Sequence, residues 1–157
     1  MKKLFPTLIF VAAMLTACDS IDCSLENTVE CKIAFYSATG EAVAISDTLT
    51  ITAAGTDSVL FNRGIRTSKV ALPLSYYKDK DTLTLTIYGE DYMLQDQLII
   101  EKKSYEHFES LDCPVKMFHT ITGVESTHHV IDSVSITSPL VIYNNGENIK
   151  IYLHIAD

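Results

Sequence analysis

The chain has 157 residues, of which 20 are acidic and 12 basic, so its formal net charge is −8 with neutral histidines. A surface with this balance repels nucleic-acid phosphates, which argues against a nucleic-acid partner. The length suits one domain with a real core and is short for two.

The first residues have the layout of an export signal. Lys2 and Lys3 precede an apolar run from Leu4 to Leu15, and small residues follow. This run is too short for a membrane span, which needs roughly 20 apolar residues in a helix. The pattern therefore predicts a signal peptide rather than a transmembrane helix.

The end of this run, Leu15-Thr16-Ala17-Cys18, resembles the lipobox of bacterial lipoproteins. In that class the signal is cut before the cysteine, which then carries a diacylglycerol thioether and an acylated amine. The resemblance implies loss of residues 1–17, lipidation of Cys18, a tether over 18–28 and a single domain over 29–157. Stable anchoring takes two acyl chains, so no membrane-spanning protein segment is needed. An ordinary secretory signal with a cysteine downstream is the alternative.

Three further cysteines, Cys23, Cys31 and Cys113, predict one disulfide and one remaining thiol in an oxidising envelope. A bond between Cys31 and Cys113 is preferred, because each lies beside a strand-like run and the closed loop is long. The alternative pairs Cys23 with Cys113. In the loop-entropy account either bond contributes roughly 4 to 5 kcal/mol. A metal site is the weaker interpretation, because the cysteines lack paired spacing.

Beyond the tether, apolar and polar residues alternate with period two, and Thr, Val, Ile and Tyr are frequent, as in half-buried strands. No long window keeps the period of an amphipathic helix. Strand candidates are 29–36, 70–74, 94–102, 105–111, 115–124, 130–137, 140–143 and 149–155, with others described next. We predict an all-β fold of about eight to ten strands, an antiparallel β-sandwich of the immunoglobulin-like kind, with a small open β-barrel as alternative.

Four strand candidates open with the same tripeptide, an aspartate followed by Ser or Thr and an aliphatic residue. An aspartate carboxylate accepts hydrogen bonds from nearby backbone amides, so the tripeptide is typical of a turn that leads into a strand. The four are Asp47-Thr48-Leu49, Asp57-Ser58-Val59, Asp81-Thr82-Leu83 and Asp132-Ser133-Val134. In the third, Asp79-Lys80-Asp81 is predicted as a turn, and Leu83, Leu85 and Ile87 are predicted to share one face.

Two local signals predict where strands end and connect. Pro73 lacks a backbone donor and indicates an edge strand or a strand end. Asn144-Asn145-Gly146 is a strong turn signal. It predicts a hairpin between 140–143 and 149–155.

One cluster contains residue types that bind divalent metals, namely His119, Glu125, His128, His129 and Asp132. On a strand His128 and His129 would point to opposite faces, so at most a weak site using His128 and Asp132 is predicted. His119 shares its parity with apolar neighbours and is interpreted as a core histidine that makes one hydrogen bond.

The remaining catalytic patterns have no counterpart in the sequence. It contains no Gly-x-Ser-x-Gly elbow, no glycine-rich phosphate loop and no calcium loop with alternating ligands. We therefore predict no enzymatic activity and no cofactor.

The repeated tripeptide also resembles the acceptor motif of the general O-glycosylation system of Bacteroides-type bacteria. On that interpretation Thr48, Ser58, Thr82 and Ser133 are acceptors, and Ser20 follows Asp19 in a fifth match. A turn that leads into a strand, as described above, explains the same tripeptides without a glycan. Both interpretations stay open.

Several stretches resemble a family of short lipoproteins of unknown function from Bacteroides-type bacteria. They are Leu72-Pro73-Leu74, Asp81-Thr82-Leu83-Thr84-Leu85, Phe108-Glu109-Ser110-Leu111-Asp112-Cys113, Ile131-Asp132-Ser133-Val134 and Ile149-Lys150-Ile151-Tyr152. The resemblance implies a Gram-negative envelope and an outer-membrane β-barrel protein as partner. It implies no activity and no catalytic residue.

The leading hypothesis is a non-enzymatic lipoprotein, held on the membrane by lipid on Cys18, that acts as an interaction or assembly module. Its expected location is the outer membrane, facing the periplasm. The alternative is a periplasmic ligand- or metal-binding protein that uses the region from His119 to Asp132.

Overall fold

A computed structural model describes residues 28–111, 113–143 and 146–154. Within these ranges the chain forms ten strands and no helix. They are β1 (Cys31–Ser37), β2 (Thr48–Ala53), β3 (Val59–Gly64), β4 (Lys69–Leu72), β5 (Lys80–Tyr88), β6 (Met93–His107), β7 (Lys116–Ser126), β8 (Ile131–Ile136), β9 (Leu140–Val141) and β10 (Ile149–Leu153).

The strands build two sheets that pack face to face. One has four strands in the order β4-β1-β10-β8, and the other has six in the order β3-β2-β5-β6-β7-β9. The all-β prediction is confirmed, and the packed sheets, one of them curved into a half-barrel, agree with both the sandwich and the open barrel. The core between the sheets is formed by alternate residues of their facing strands, as period-two patterning requires. Its largest fully buried members include Phe35, Ile51, Leu98 and Ile151.

The predicted hairpin between 140–143 and 149–155 is wrong. β9 pairs with β7 in the six-stranded sheet, whereas β10 lies between β1 and β8 in the other sheet. Asn148 holds this crossing together, since its buried side chain donates to the carbonyl of Leu140 at 2.8 Å and accepts from the amide of Lys32 at 2.9 Å. A local turn signal cannot distinguish a return to the same sheet from a passage to the opposite one.

The pairing of β1 with β10 is parallel, with Ile33 opposite Ile149 and Phe35 opposite Ile151. The other strand pairs in the described residues are antiparallel, so this pair is the exception within the predicted antiparallel sandwich. Parallel neighbours need a long connection, which the chain supplies because these strands are its first and last. β4 ends at Leu72, directly before Pro73, and lies at a sheet edge as predicted.

Two predictions about strand boundaries are also wrong. β6 is one continuous strand of 15 residues, where the sequence predicts separate strands over 94–102 and 105–111. The polar residues between them stay in the strand because β7 pairs with β6 along its whole outer half. Asp81 belongs to β5 and is buried, rather than forming a turn with Asp79 and Lys80.

Candidate functional site

A buried ion pair joins β5 and β6 at one end of the sandwich. The ammonium of Lys102, whose side chain has no exposed surface, lies 3.3 Å from the Asp81 carboxylate. Lys102 also donates to the carbonyl of Lys78 and to the hydroxyl of Ser75 at 3.5 Å. Three acceptors thus satisfy the three protons of the ammonium, as a charge that has left water requires.

The same ion pair holds the loop between β4 and β5. Asp81 accepts a hydrogen bond from the amide of Ser75 at 3.1 Å, and Lys102 binds the carbonyl of Lys78. Between these two anchored residues the loop presents Tyr76 and Tyr77, which are 58% and 96% exposed. Their rings meet edge to face at 6.4 Å. Buried charge therefore fixes the ends of a loop whose middle displays two tyrosines to solvent.

Two further titratable groups lie close to the ion pair. Burial and the Lys102 charge lower the pKa of His119 to about 4, although the Asp81 carboxylate opposes this. The imidazole is therefore neutral near pH 7 and lies 2.8 Å from the Ser104 hydroxyl. Burial, followed by the Asp81 carboxylate, raises the pKa of Cys31 to about 12, so the thiol stays protonated. The core-histidine interpretation of His119 is confirmed, and Cys31 lacks the thiolate character that nucleophilic cysteines need.

A cleft of about 320 Å³ opens beside this cluster. Its walls include Leu60, Leu74, Ser75, Lys78 and Asp81. The carboxylate that reaches it is already paired with Lys102 and with the amide of Ser75. The Asp81 carboxylate beside the cleft therefore holds the loop between β4 and β5 in place.

A second buried carboxylate, Asp96 on β6, organises the turn between β7 and β8. It accepts hydrogen bonds from the Thr127 hydroxyl at 2.5 Å and from the backbone amides of His129, Val130 and Ile131. Burial alone would raise the pKa of Asp96, but these hydrogen bonds outweigh it and lower the pKa to about 2. Asp96 is not among the predicted site residues, although it shares strand parity with Leu98 and Ile100, which indicates that it faces the core.

This turn contains two of the predicted metal ligands. Residues 127–130 are not in a strand, so His128 and His129 are not held on opposite faces of one, whereas the sequence predicts that they are. The ring of His128 lies 3.1 Å from the Ile131 carbonyl, and that of His129 lies 3.0 Å from Asp96. Asp132 is exposed beside Ser133. Across the described residues, no group of three or more His, Cys, Asp or Glu side chains could hold a metal ion.

The outer end of the β6–β7 hairpin extends beyond the rest of its sheet. β5 pairs with β6 only as far as Glu101, whereas β7 pairs with it as far as His107. Tyr105, Phe108, Leu111 and Val115, which we call the hairpin tip, are between 45% and 104% exposed. Such a group of apolar side chains is typical of an interaction surface.

Aromatic packing stiffens the hairpin beneath the tip. The rings of His107 and Phe118 stack at 4.2 Å, and Tyr143 meets Phe118 at right angles at 4.9 Å. Tyr105 packs edge-on against Phe118 at 5.9 Å. Phe118 is thus enclosed by three rings, an arrangement that aromatic quadrupoles favour.

The preferred disulfide between Cys31 and Cys113 is wrong. Cys31 is a free cysteine that faces the core from β1, while Cys113 follows the hairpin tip and is disulfide-bonded. The position of Cys31 at the edge of a strand-like run reflects burial as a small apolar residue, which is common for free cysteines. The alternative partner, Cys23, and the predicted lipidation residue, Cys18, lie outside the described residues, as do the signal peptide and most of the tether.

The predicted glycan acceptors differ in accessibility. Ser58, in the loop before β3, and Ser133, on the edge strand β8, are exposed. Thr48 and Thr82 are half-buried within β2 and β5, where Thr48 pairs with Tyr88 and Thr82 pairs with Ile99. Ser20 lies outside the described residues.

Comparison with known proteins identifies a family whose function is unknown. Residues 48–153, more than half of the chain, match the model of a family of unknown function, DUF6452. No curated protein and no solved structure matches. In the part of the chain that the structure describes, no helix has the length and apolar character to cross a membrane.

Proposed function

The chain belongs to the DUF6452 family, and we propose that it is an envelope lipoprotein, anchored by lipid on Cys18, whose β-sandwich is a non-enzymatic interaction module. The location we propose is the periplasmic face of the outer membrane. The lipobox-like sequence before Cys18 supports the anchor. The exposed loop between β4 and β5 that carries Tyr76 and Tyr77, which we call the tyrosine loop, supports the interaction role.

The observation that carries the proposal is the way in which the buried ion pair supports Tyr76 and Tyr77. A buried ion pair is a weak source of stability, because desolvation offsets much of the attraction. Here it fixes both ends of a loop whose tyrosines are exposed. Tyrosine is enriched at the energetic centres of protein interfaces, where a rigid ring gives contact area at low entropic cost. An exposed pair on a fixed loop is suited to a partner.

The partner that we propose is a membrane-embedded protein, with an outer-membrane β-barrel as the expected class. The tyrosine loop lies at the same end of the sandwich as the hairpin tip, since the carbonyl of Asp79 accepts a hydrogen bond from the amide of Lys102 on the outer half of β6. The described chain also begins near this end, because Val29 pairs with Tyr143, whose ring contacts Phe118 beneath the hairpin tip. Lipid on Cys18 would therefore hold this end, with its loop, towards the membrane. The buried states of Cys31 and His119 favour this role over catalysis by either group.

Recovery of the partner from native membranes tests the proposal. Tagged wild-type protein is expected to co-purify one membrane protein in stoichiometric amount after mild cross-linking. The double variant Tyr76→Ala, Tyr77→Ala should lose roughly tenfold or more of it, as truncation of interface tyrosines does. Met93→Ala, an exposed residue at the opposite end of β6, is the matched control and should retain it. Equal recovery by all three proteins contradicts the loop as the interaction surface.

The anchor has its own test. Cys18→Ser should move the protein from the membrane fraction to the soluble periplasm and remove the mass of the acyl chains. Unchanged membrane fractionation of Cys18→Ser contradicts the lipid anchor.

We further propose that any O-glycan is carried by Ser58 or Ser133, because these two acceptors are exposed whereas Thr48 and Thr82 lie within paired strands. Intact-mass measurement of protein from its native host should show added hexose-type mass. Ser58→Ala combined with Ser133→Ala should remove it. A mass equal to that of the lipidated chain alone contradicts this proposal.

A further inference from the structure

The cysteines limit where the N-terminal segment attaches to the domain. The chain contains four cysteines, at positions 18, 23, 31 and 113. Cys113 is disulfide-bonded and Cys31 is free, so within one chain the partner of Cys113 is Cys18 or Cys23. A lipid thioether on Cys18 occupies its sulfur, which leaves Cys23.

Resting on the lipid anchor proposed above, we infer that Cys23 bonds to Cys113 and that the hairpin tip lies on the lipid surface, with Phe108, Leu111 and Val115 against it. Four residues lie between Cys18 and Cys23, so five residue steps give a reach of at most about 18 Å in extended chain. A disulfide adds about 5.5 Å between Cα atoms. The tip is therefore held within roughly 25 Å of the lipid-bearing residue, less than the thickness of the bilayer core.

Exposed apolar side chains do not by themselves identify the hairpin tip as the docking surface. Met93 and Leu94, at the opposite end of β6, are also exposed, at 60% and 39%. Along β6 these two residues are at most about 46 Å from His107, at about 3.3 Å per strand residue. The bonded Cys113 lies in the loop of the hairpin tip and thus joins the tip, rather than the far end, to the N-terminal segment.

The side chains of the tip have the chemistry of a membrane interface. Tyrosine and other aromatic residues are enriched at the level of lipid headgroups, where one part of the ring system is dry and the polar part is wet. The stacked rings of His107 and Phe118 support the β6–β7 hairpin directly beneath the tip. The surrounding sequence is acidic, with Glu106, Glu109 and Asp112 against Lys116. Zwitterionic lipids are therefore the expected surface, because anionic headgroups would repel this segment.

A tryptophan reporter tests the position of the tip, because the chain contains no tryptophan. Full-length lipidated protein carrying Leu111→Trp is reconstituted in phosphatidylcholine–phosphatidylethanolamine vesicles, with and without brominated acyl chains. Its emission should shift to shorter wavelength and fall to roughly half with brominated lipid, as expected for a ring at headgroup level. Met93→Trp is the matched control, and its emission should not change.

The outcomes separate this inference from the anchor on which it rests. Vesicle-bound protein whose Leu111→Trp emission is unquenched overturns the docked tip and leaves the anchor intact. Protein that neither carries acyl mass nor binds vesicles overturns the anchor. Shielding of Leu111→Trp in native membranes but not in pure lipid shows that a protein covers the tip, which also overturns lipid docking. Peptide mapping without reduction should yield a Cys23–Cys113 cross-link, and a Cys18–Cys113 cross-link contradicts both proposals.

Discussion

Asp81 and Asp96 are both buried carboxylates on adjacent strands of the six-stranded sheet, but different groups compensate their charge. Asp81 is paired with the ammonium of one side chain, Lys102. Asp96 is surrounded by three consecutive backbone amides and the Thr127 hydroxyl. Asp81 therefore depends on a side chain that mutation can remove, whereas most donors to Asp96 belong to the backbone.

The two carboxylates also have different structural roles. Asp96 closes the turn that leads from β7 to β8 and thus joins the two sheets locally. Asp81 and Lys102 fix a loop that displays tyrosines. Hydrogen bonds from backbone amides to a buried carboxylate are sufficient for a turn that only connects two strands. An ion pair between side chains suits a loop whose position matters for recognition, in line with the use of buried polar groups to specify geometry.

The largest effect is expected from removal of Lys102. Lys102→Met leaves Asp81 buried without its counter-charge, which typically costs about 3 to 5 kcal/mol in the free energy of unfolding. Urea denaturation of the purified variant measures this loss. Lys80→Met is the matched control, because Lys80 forms only an exposed ion pair with Glu101 and its removal should leave the urea midpoint nearly unchanged.

A double variant distinguishes lost charge balance from lost packing. Lys102→Met combined with Asp81→Leu removes both charges and should recover most of the stability. The tyrosine loop would then have lost both of its anchors, so partner recovery should stay low although the domain is stable. Recovery of stability together with partner binding would contradict the positioning role of the pair.

The second largest effect concerns His119, which shares the surroundings of the ion pair. Its pKa is lowered from 6.5 to about 4 in the folded protein, so the unfolded chain binds a proton first as the pH falls. Stability is therefore fully present above about pH 6.5 and decreases by about 3 kcal/mol as the pH falls to about 4. His119→Gln should abolish this decrease in urea denaturation curves. Ser104→Ala, which removes only the hydrogen-bond partner, should retain it.

The alternation of apolar and polar residues predicts which face of a strand is buried. It does not predict which side chains on neighbouring strands contact one another. Leu83, Leu85 and Ile87 share the buried face of β5 as predicted, and Asp81 has the same parity. Strand parity thus indicates that Asp81 faces inward, whereas the turn preference of aspartate predicts an exposed turn. Its pairing with Lys102 depends on the register of β5 against β6, which the connection over residues 89–92 sets. The alternation around Asp81 or around Lys102 does not contain that register.

The other wrong predictions also concern contacts between strands, which local sequence patterns do not determine. Cys31 reads as a disulfide candidate because of its neighbours in sequence, and only the packing of β1 against the opposite sheet shows that it is an apolar core residue. The parallel pairing of β1 with β10 joins residues more than a hundred positions apart. Exposed residues of the hairpin tip look like a strand in sequence, because their alternation continues past the point where β5 ends.

A third prediction concerns the pH dependence that Asp96 adds. Its pKa falls from 3.8 in the unfolded chain to about 2 in the folded protein. The stabilisation is therefore present above about pH 4 and is lost as the pH falls towards 2, with a total of about 2 kcal/mol. Asp96→Asn should remove this acid-sensitive component and lower stability at neutral pH by a similar amount. An unchanged slope of stability against pH below about 4 would contradict the role of Asp96.

The smallest effect is expected from Thr127→Val, which removes the one side-chain hydroxyl among the donors to Asp96. The backbone amides of His129, Val130 and Ile131 remain, so the carboxylate keeps most of its compensation. The loss in the free energy of unfolding should be about 1 kcal/mol, the usual net value of a single hydrogen bond. Urea denaturation of Thr127→Val beside Lys102→Met measures the contrast directly. A loss for Thr127→Val as large as that for Lys102→Met would show that the two carboxylates depend equally on side chains, because the three backbone amides alone would then not compensate a buried charge.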